Sequence, residues 1–138
     1  MVQQAGISNA DVAQIDLAHQ ILDGRLASVQ NQFSPRFRSS HGELEHCAAL
    51  GVAFLPWSPL GGIANAAELG ARHAVFQDVA DAHGVSVYQV TLAWELALAP
   101  VVIPIPGASR PESIVDSAAA THVQLSDEQL TRLNTSVT

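Results

Sequence analysis

The chain contains no lysine; its six basic residues are Arg25, Arg36, Arg38, Arg72, Arg110 and Arg132. Schiff-base catalysis, phosphate gripping by a P-loop lysine and lysine-tuned acid chemistry are therefore excluded from this chain. A single cysteine, Cys47, rules out an intramolecular disulfide framework and a thiolate metal cluster within one chain. Charged residues make up only 14%, well under the roughly 25% of ordinary soluble domains. With 48% hydrophobic residues the chain has material for a core and is not of disordered composition. Thirteen acidic residues give a formal charge of −7, which repels phosphate backbones and anionic lipids. The most apolar stretch, Thr91 to Pro106, is broken by Glu95 and three prolines and falls short of a spanning helix. The opening MVQQAGISNADVAQ lacks a basic n-region and an apolar h-region, so no secretion signal is expected and a cytoplasmic location is. At 138 residues one unit is expected, spanning 1–138.

The order of elements is informative. Over residues 9–23, Val12, Ile15, His19 and Leu22 fall on one helical face. Ser8 followed by Asp11 reads as a capping-box start, and Gly24 as the stop. LASVQNQF has strand composition. Ser40 with Glu43 opens a second helix that Gly51 closes, and VAFLP follows at once as a short buried strand. Pro56 to Gly62 reads as a loop and residues 63–72 as irregular or weakly helical. Residues 73–98 are strongly helical with a break near Gly84, carrying a stripe of Val87, Val90, Thr91, Trp94, Ala97 and Leu98. VVIPI is a further buried strand, its prolines suited to an end or rim. Ser109, Pro111 and Glu112 start another helix. Leu125, Ser126, Gln129 and Leu130 combine a capping box with a hydrophobic staple and start the last one.

With a strand over the first few residues, the chain reads as four βα units plus a C-terminal helix. Alternating strands and helices imply a parallel sheet, and near-continuous apolar strands agree. Two α/β architectures fit: a small open doubly wound sheet, or half of a (βα)8 barrel, whose full form needs about 250 residues.

In both, ligands bind where strands end and helices begin. Four segments lie there: Ser8-Asn9, Gln30-Asn31-Gln32, Pro56 to Gly62, and Pro106 to Arg110. In the last, Gly107 and Ala108 leave backbone amides uncovered before a helix N-terminus, and Arg110 adds a planar charged fork; together they suit a phosphate. The plainer reading of that segment is a capped helix start with a solvated arginine. Trp57, held between Pro56 and Ser58-Pro59, is placed to stack on a planar ring or to plug the mouth of a barrel. Ser8, Asn9 and Gln30 offer donors and acceptors fit for a carboxamide, or serve as caps and turn formers.

Taken in order and spacing, GISN, SVQNQFS, GVAFLPWSPLGG and VSVYQVTLAWELALAPVVIPIPGASRPESI resemble the aldo-keto reductase family. The likeness runs from about residue 4 to residue 134 and covers the family's fifth to eighth βα units plus its C-terminal helix. It implies the C-terminal half of a TIM barrel and NADP(H) as cofactor. By the same resemblance, Ser8, Asn9 and Gln30 would hold the nicotinamide carboxamide and Trp57 would stack on its ring. Ser58 and Leu60 would meet the pyrophosphate and its ribose, and Gly107, Ala108, Ser109 and Arg110 would clamp the 2′-phosphate. Asp116 occupies an acidic position near the adenine. Ser113 stands where glutamine or arginine is common, and Ser117 where asparagine is common, so the choice of NADPH over NADH stays open.

The family's proton-donating tyrosine, with its lysine, aspartate and histidine, comes from the first half of the barrel. This chain has no lysine, and its one tyrosine, Tyr88, falls within a helix. No catalytic residue is assigned. His41, Glu43, Glu45 and His46 invite a metal reading, but histidines five apart on a helix point about 140° away from each other, and HExxH is absent. Neither the nucleophile elbow G-x-S-x-G nor the fingerprint G-x-G-x-x-G occurs, and Cys47 reads as a small core residue.

The expectation is therefore the cofactor-binding portion of an NADPH-dependent carbonyl reductase, truncated or split and inactive alone. It would pair with a copy of itself or with a complementary N-terminal half, because a half barrel exposes strand edges. The alternative is a non-catalytic nucleotide-binding or scaffold module.

Overall fold

A computed structural model describes residues 2–62 and 66–137. Strand β1 (Ala5–Ser8), helix α1 (Val12–Ile21), strand β2 (Leu26–Gln30), helix α2 (His41–Leu50) and strand β3 (Ala53–Phe54) follow in turn. The helical turn α3 (Leu69–Arg72), then α4 (Ala74–His83), α5 (Val87–Leu98), α6 (Pro111–Ala119), a 3-10 turn (Ala120–His122) and α7 (Asp127–Ser136) complete the order. Of the stretch read as weakly helical, residues 63–65 lie outside the described residues.

The three strands are parallel, in the order β1-β2-β3. The expected fourth strand is present only as an extended segment beside β3, joined by parallel bridges between Phe54 and Val102 and between Trp57 and Ile105. Ile103 and Ile105 donate their N–H groups to Phe54 and Pro56 at 2.9 and 3.1 Å. Pro104 and Pro106 lack N–H groups, so a regular ladder cannot run along this segment. Gly6 sits close where β1 meets β2: a Cβ there would lie 2.5 Å from the Ser28 hydroxyl, which would have to rotate away.

Helices cover one face of the sheet. Val29, Phe54 and Val102 from the strands meet Ile15, Leu44, Cys47, Phe76, Val90 and Trp94 from the helices in one core. Trp94 stacks on Phe33 and receives the edge of Phe76, and its indole N–H donates to Asn134 at 2.8 Å, tying α7 to α5. Gly6 and Ser8 of β1 are exposed while Ala5 and Ile7 are half-buried, so the strand turns alternate residues toward the core.

Several helix ends follow the expected chemistry. Gly51 and Gly84 close α2 and α4 in the left-handed conformation, and Ser126 with Gln129 forms the capping box of α7. Two starts differ. Asp11, not Ser8, caps α1, with Gln14 completing the box; Ser8 is still in β1, where its hydroxyl donates to the Gln30 carbonyl at 2.8 Å. Arg110, not Ser109, stands at the cap of α6, and its side chain makes no capping hydrogen bond. On α1 only Ile15 of the expected face is fully buried, and Val12 is exposed. Helix α5 is enclosed almost all round: Leu92, Ala93 and Glu95 are buried beside Val90, Thr91 and Trp94, while Ala97 of the expected stripe is exposed.

Candidate functional site

The carboxyl ends of the strands converge on one mouth. Asn9 follows β1 in the left-handed conformation, φ 53°, with its N–H on the Gln30 carbonyl at 3.0 Å. Asparagine tolerates this region better than most side chains. The turn aims its amide across the mouth, where Asn9 Oδ1 accepts the indole N–H of Trp57 at 3.0 Å. Asn31, buried and read from the sequence only as part of the Gln30–Gln32 strand end, brackets the next residue: it accepts from Ala10 N at 3.1 Å and donates to Ala10 O at 2.8 Å. That clamp fixes where β1 turns into α1.

Trp57 is held by its backbone on both sides. Its N–H donates to Asn31 O at 3.0 Å, and its carbonyl accepts from Phe33 N at 3.3 Å. On its other side it bridges Ile105. The ring is half-buried. Ser58 turns back at φ 53°, and its carbonyl receives the Gly61 N–H at 2.9 Å. Leu60 borders a shallow crevice that also contains Arg36, Arg72 and His73. Burial holds the His73 imidazole below the ordinary histidine range, and the neighbouring Arg72 and Arg36 push in the same direction. Arg72 is itself paired with Glu68, its Nε donating to the carboxylate at 2.8 Å.

Gly107 lies two residues beyond Ile105, at the same end as Trp57. Gly107, Ala108, Ser109 and Arg110 are exposed, and α6 begins directly with Pro111. The helix adds the positive end of its dipole, but Pro111 has no N–H and that of Ser113 goes to Arg110 O at 3.1 Å, so the donors there are chiefly the 107–110 backbone and the Arg110 side chain. Asp116 sits one turn further on with its carboxylate engaged: it accepts from Ser86 Oγ at 2.7 Å and from Gln89 Nε2 at 2.6 Å. These bonds fasten α6 to the first turn of α5, a role the sequence did not reveal. Ser8, Asn9, Gln30, Trp57, Ser58, Leu60 and the 107–110 loop thus share one end of the sheet, while Asp116 is turned toward α5.

Tyr88 is half-buried in the first turn of α5 and belongs to no strand end. His46 contacts Asp16 at 2.7 Å and His41 approaches Glu45 at 3.9 Å; among the described residues no three His, Cys, Asp or Glu side chains cluster to hold a metal. Cys47 is fully buried, and burial with the nearby Glu43 pushes its thiol up to about 11. No helix among the described residues is long and apolar enough to cross a membrane.

The aldo/keto reductase family model matches residues 1–137. An uncharacterised oxidoreductase of Schizosaccharomyces pombe is 34% identical over 134 residues, 97% of this chain and 42% of that protein. Pyridoxine 4-dehydrogenase of Escherichia coli is 31% identical over 134 residues, 97% of this chain and 44% of the enzyme. The aldo/keto reductase of Klebsiella pneumoniae solved with NADP and acetate superposes with a TM-score of 0.83 at 27% identity, over 96% of this chain and 47% of that one. The chain therefore spans less than half the length of these relatives, and its likeness lies in a partial TIM barrel. On sequence and on fold alike, the chain belongs to the aldo-keto reductase family.

Proposed function

We propose that this chain is the nicotinamide-nucleotide-binding half of a carbonyl reductase. The reading rests on one juxtaposition: the Asn9–Trp57 hydrogen bond and the uncapped start of α6 at 107–110 open on the same mouth. A ring-stacking surface and an anion-attracting helix start at one strand end suit a dinucleotide carrying an extra phosphate. Ser8, Asn9 and Gln30 would hold the carboxamide, Trp57 the ring, Ser58 and Leu60 the pyrophosphate, and Gly107 to Arg110 the 2′-phosphate. When bound, NADPH would supply hydride to a carbonyl carbon.

Protonation of the carbonyl oxygen needs a positioned acid; the sequence has no lysine, and its one tyrosine, Tyr88, lies in α5. A complementary half would supply that acid, and the pair would reduce aldehydes or ketones. The 2′-phosphate subsite would favour NADPH over NADH. A second reading, a non-catalytic nucleotide-binding module, is favoured by the absence of lysine from the sequence and by the placement of its one tyrosine, Tyr88, in helix α5. Purified chain incubated with NADPH and a panel of aldehydes tests the first reading's division of labour. NADPH should bind without aldehyde-dependent oxidation, and reproducible turnover by the chain alone would refute it.

A further inference from the structure

Polar atoms without partners gather where α5 faces the segment after β2. Both carboxyl oxygens of Glu95 and Arg38 Nη1 are enclosed within the chain, and among the described residues none of them has a hydrogen-bond partner. The Arg38 guanidinium rests instead on two stacked rings, 4.8 Å from the centre of Phe33 and 4.9 Å from that of Trp94. It attracts Glu95 by charge without being bonded to it. A carboxyl in this position keeps its proton, or ionises and draws the guanidinium off the rings, because an unpaired buried carboxylate is costly. Burial favours the proton and raises the carboxyl well above the ordinary range.

The contacts of Arg38 lead to the mouth. Ser34 and Phe37 exchange backbone hydrogen bonds at 3.1 Å, and Arg38 O receives the His41 N–H at 3.0 Å at the start of α2. This tight turn brings Arg38 back over Phe33. Phe33 N–H donates to Trp57 O at 3.3 Å, and Trp57 gives its indole N–H to Asn9 Oδ1 at 3.0 Å. Contacts therefore run from Glu95 through Arg38 and Phe33 to Trp57. Of the other ionisable groups around α5, Arg72 pairs with Glu68, Asp78 with Arg132 and Asp81 with Gln77, while Asp116 is held by Ser86 and Gln89. His41 and His73 make T-shaped contacts with Phe33 and Phe76 of the same ring cluster.

We propose that Glu95 and Arg38 are a positioning pair for Trp57. While Glu95 carries its proton, Arg38 stays on Phe33 and Trp94, and the backbone of Phe33 holds Trp57 in place to stack on a nicotinamide ring. Loss of the proton turns Arg38 toward the carboxylate and removes its cation contact from Phe33. The Phe33–Trp57 bond then loosens. Nucleotide affinity falls with it, and by linkage a bound nucleotide retains the Glu95 proton. Only the nucleotide half of this coupling rests on the nicotinamide reading of the mouth.

Nuclear magnetic resonance tests the coupling without any nucleotide. The chain has two tryptophans, so isotope-labelled protein shows two indole N–H resonances, which Trp57→Phe tells apart. In the wild type both should shift with one common midpoint as pH rises from 5 to 9. The Trp57 shift should vanish in Glu95→Gln and in Glu95→Leu, the second variant replacing the acid with an apolar side chain suited to the core. A Trp57 resonance that stays constant while Trp94 titrates, or that titrates unchanged in both variants as a histidine would make it, overturns the proposal; so does a wild type in which neither resonance moves. By calorimetry over the same range, wild-type affinity for NADPH should fall about fivefold relative to Glu95→Gln, and identical pH profiles would overturn the link to binding. If NADPH binds at no pH, the nicotinamide reading fails, and the Trp57 resonance still decides the coupling.

Discussion

Glu95 is the most heavily perturbed ionisable group, and its substitution gives a sharp test of the packing. Its side chain is fully buried on α5, and neither carboxylate oxygen has a hydrogen-bond partner. Burial raises its carboxyl well above the ordinary range, and the attraction of Arg38 only partly offsets that. Arg38 lies 4.8 and 4.9 Å from the ring centres of Phe33 and Trp94, and burial lowers its own midpoint. For an acid whose folded midpoint is raised, the native state holds a proton that the unfolded chain releases. Stability from this group is therefore greatest below the unfolded midpoint and declines as pH rises toward the folded one. Each pH unit in that window costs up to about 1.4 kcal/mol, roughly 5 °C for a domain of this size. His73 works in the opposite sense: its lowered midpoint makes stability fall as pH drops below the ordinary histidine range. The proper readout is thus the difference in thermal midpoint between wild type and Glu95→Gln, followed from acid to mildly alkaline pH. Glu95→Gln should gain on the wild type by several degrees as pH rises. A wild type that gains instead would mean Glu95 is ionised and paired with Arg38, and the reasoning would fail.

Asn9→Ala removes the acceptor for the Trp57 indole; it should shift Trp57 emission and weaken NADPH binding about fivefold, the worth of one hydrogen bond. Arg110→Ala should weaken NADPH by about 10- to 100-fold and leave NADH nearly untouched, measured by calorimetry. Gly84→Ala should cost about 1 kcal/mol in urea unfolding, because φ there is +65° and nothing surrounds the site. Cys47 should react with a disulfide reagent at pH 8 only on unfolding, its thiol being buried and its midpoint raised to about 11.

Local signals were legible where a few adjacent residues decide the structure. Gly51 and Gly84 announce left-handed helix stops, and Ser126 with Gln129 announces a cap. The partial barrel was legible from the strand–helix alternation and from the motifs around Trp57 and Gly107. What escaped depends on distant partners. Ser8 reads as a cap until Gln30, 22 residues away, engages its hydroxyl. The Asn9–Trp57 bond spans 48 residues, and the ties from Ser86 and Gln89 to Asp116 span about 30. Glu95 reads as a break in an apolar run, because helical periodicity marks one face and cannot show that α5 is enclosed on nearly all of them. The fourth strand reads as buried, with prolines suited to an end or rim; Pro104 and Pro106 leave it only isolated bridges, and Ile103 and Ile105 are exposed rather than buried.

The most direct test of the nucleotide site is tryptophan fluorescence during NADPH titration of the wild type and of Trp57→Phe. Trp94 is fully buried and held by Asn134, so it reports no ring at the mouth. The wild type should show saturable quenching, and Trp57→Phe should lose that response while retaining the Trp94 signal. Quenching that survives in Trp57→Phe, or a wild type that shows no saturable response, would contradict a nicotinamide nucleotide at this mouth.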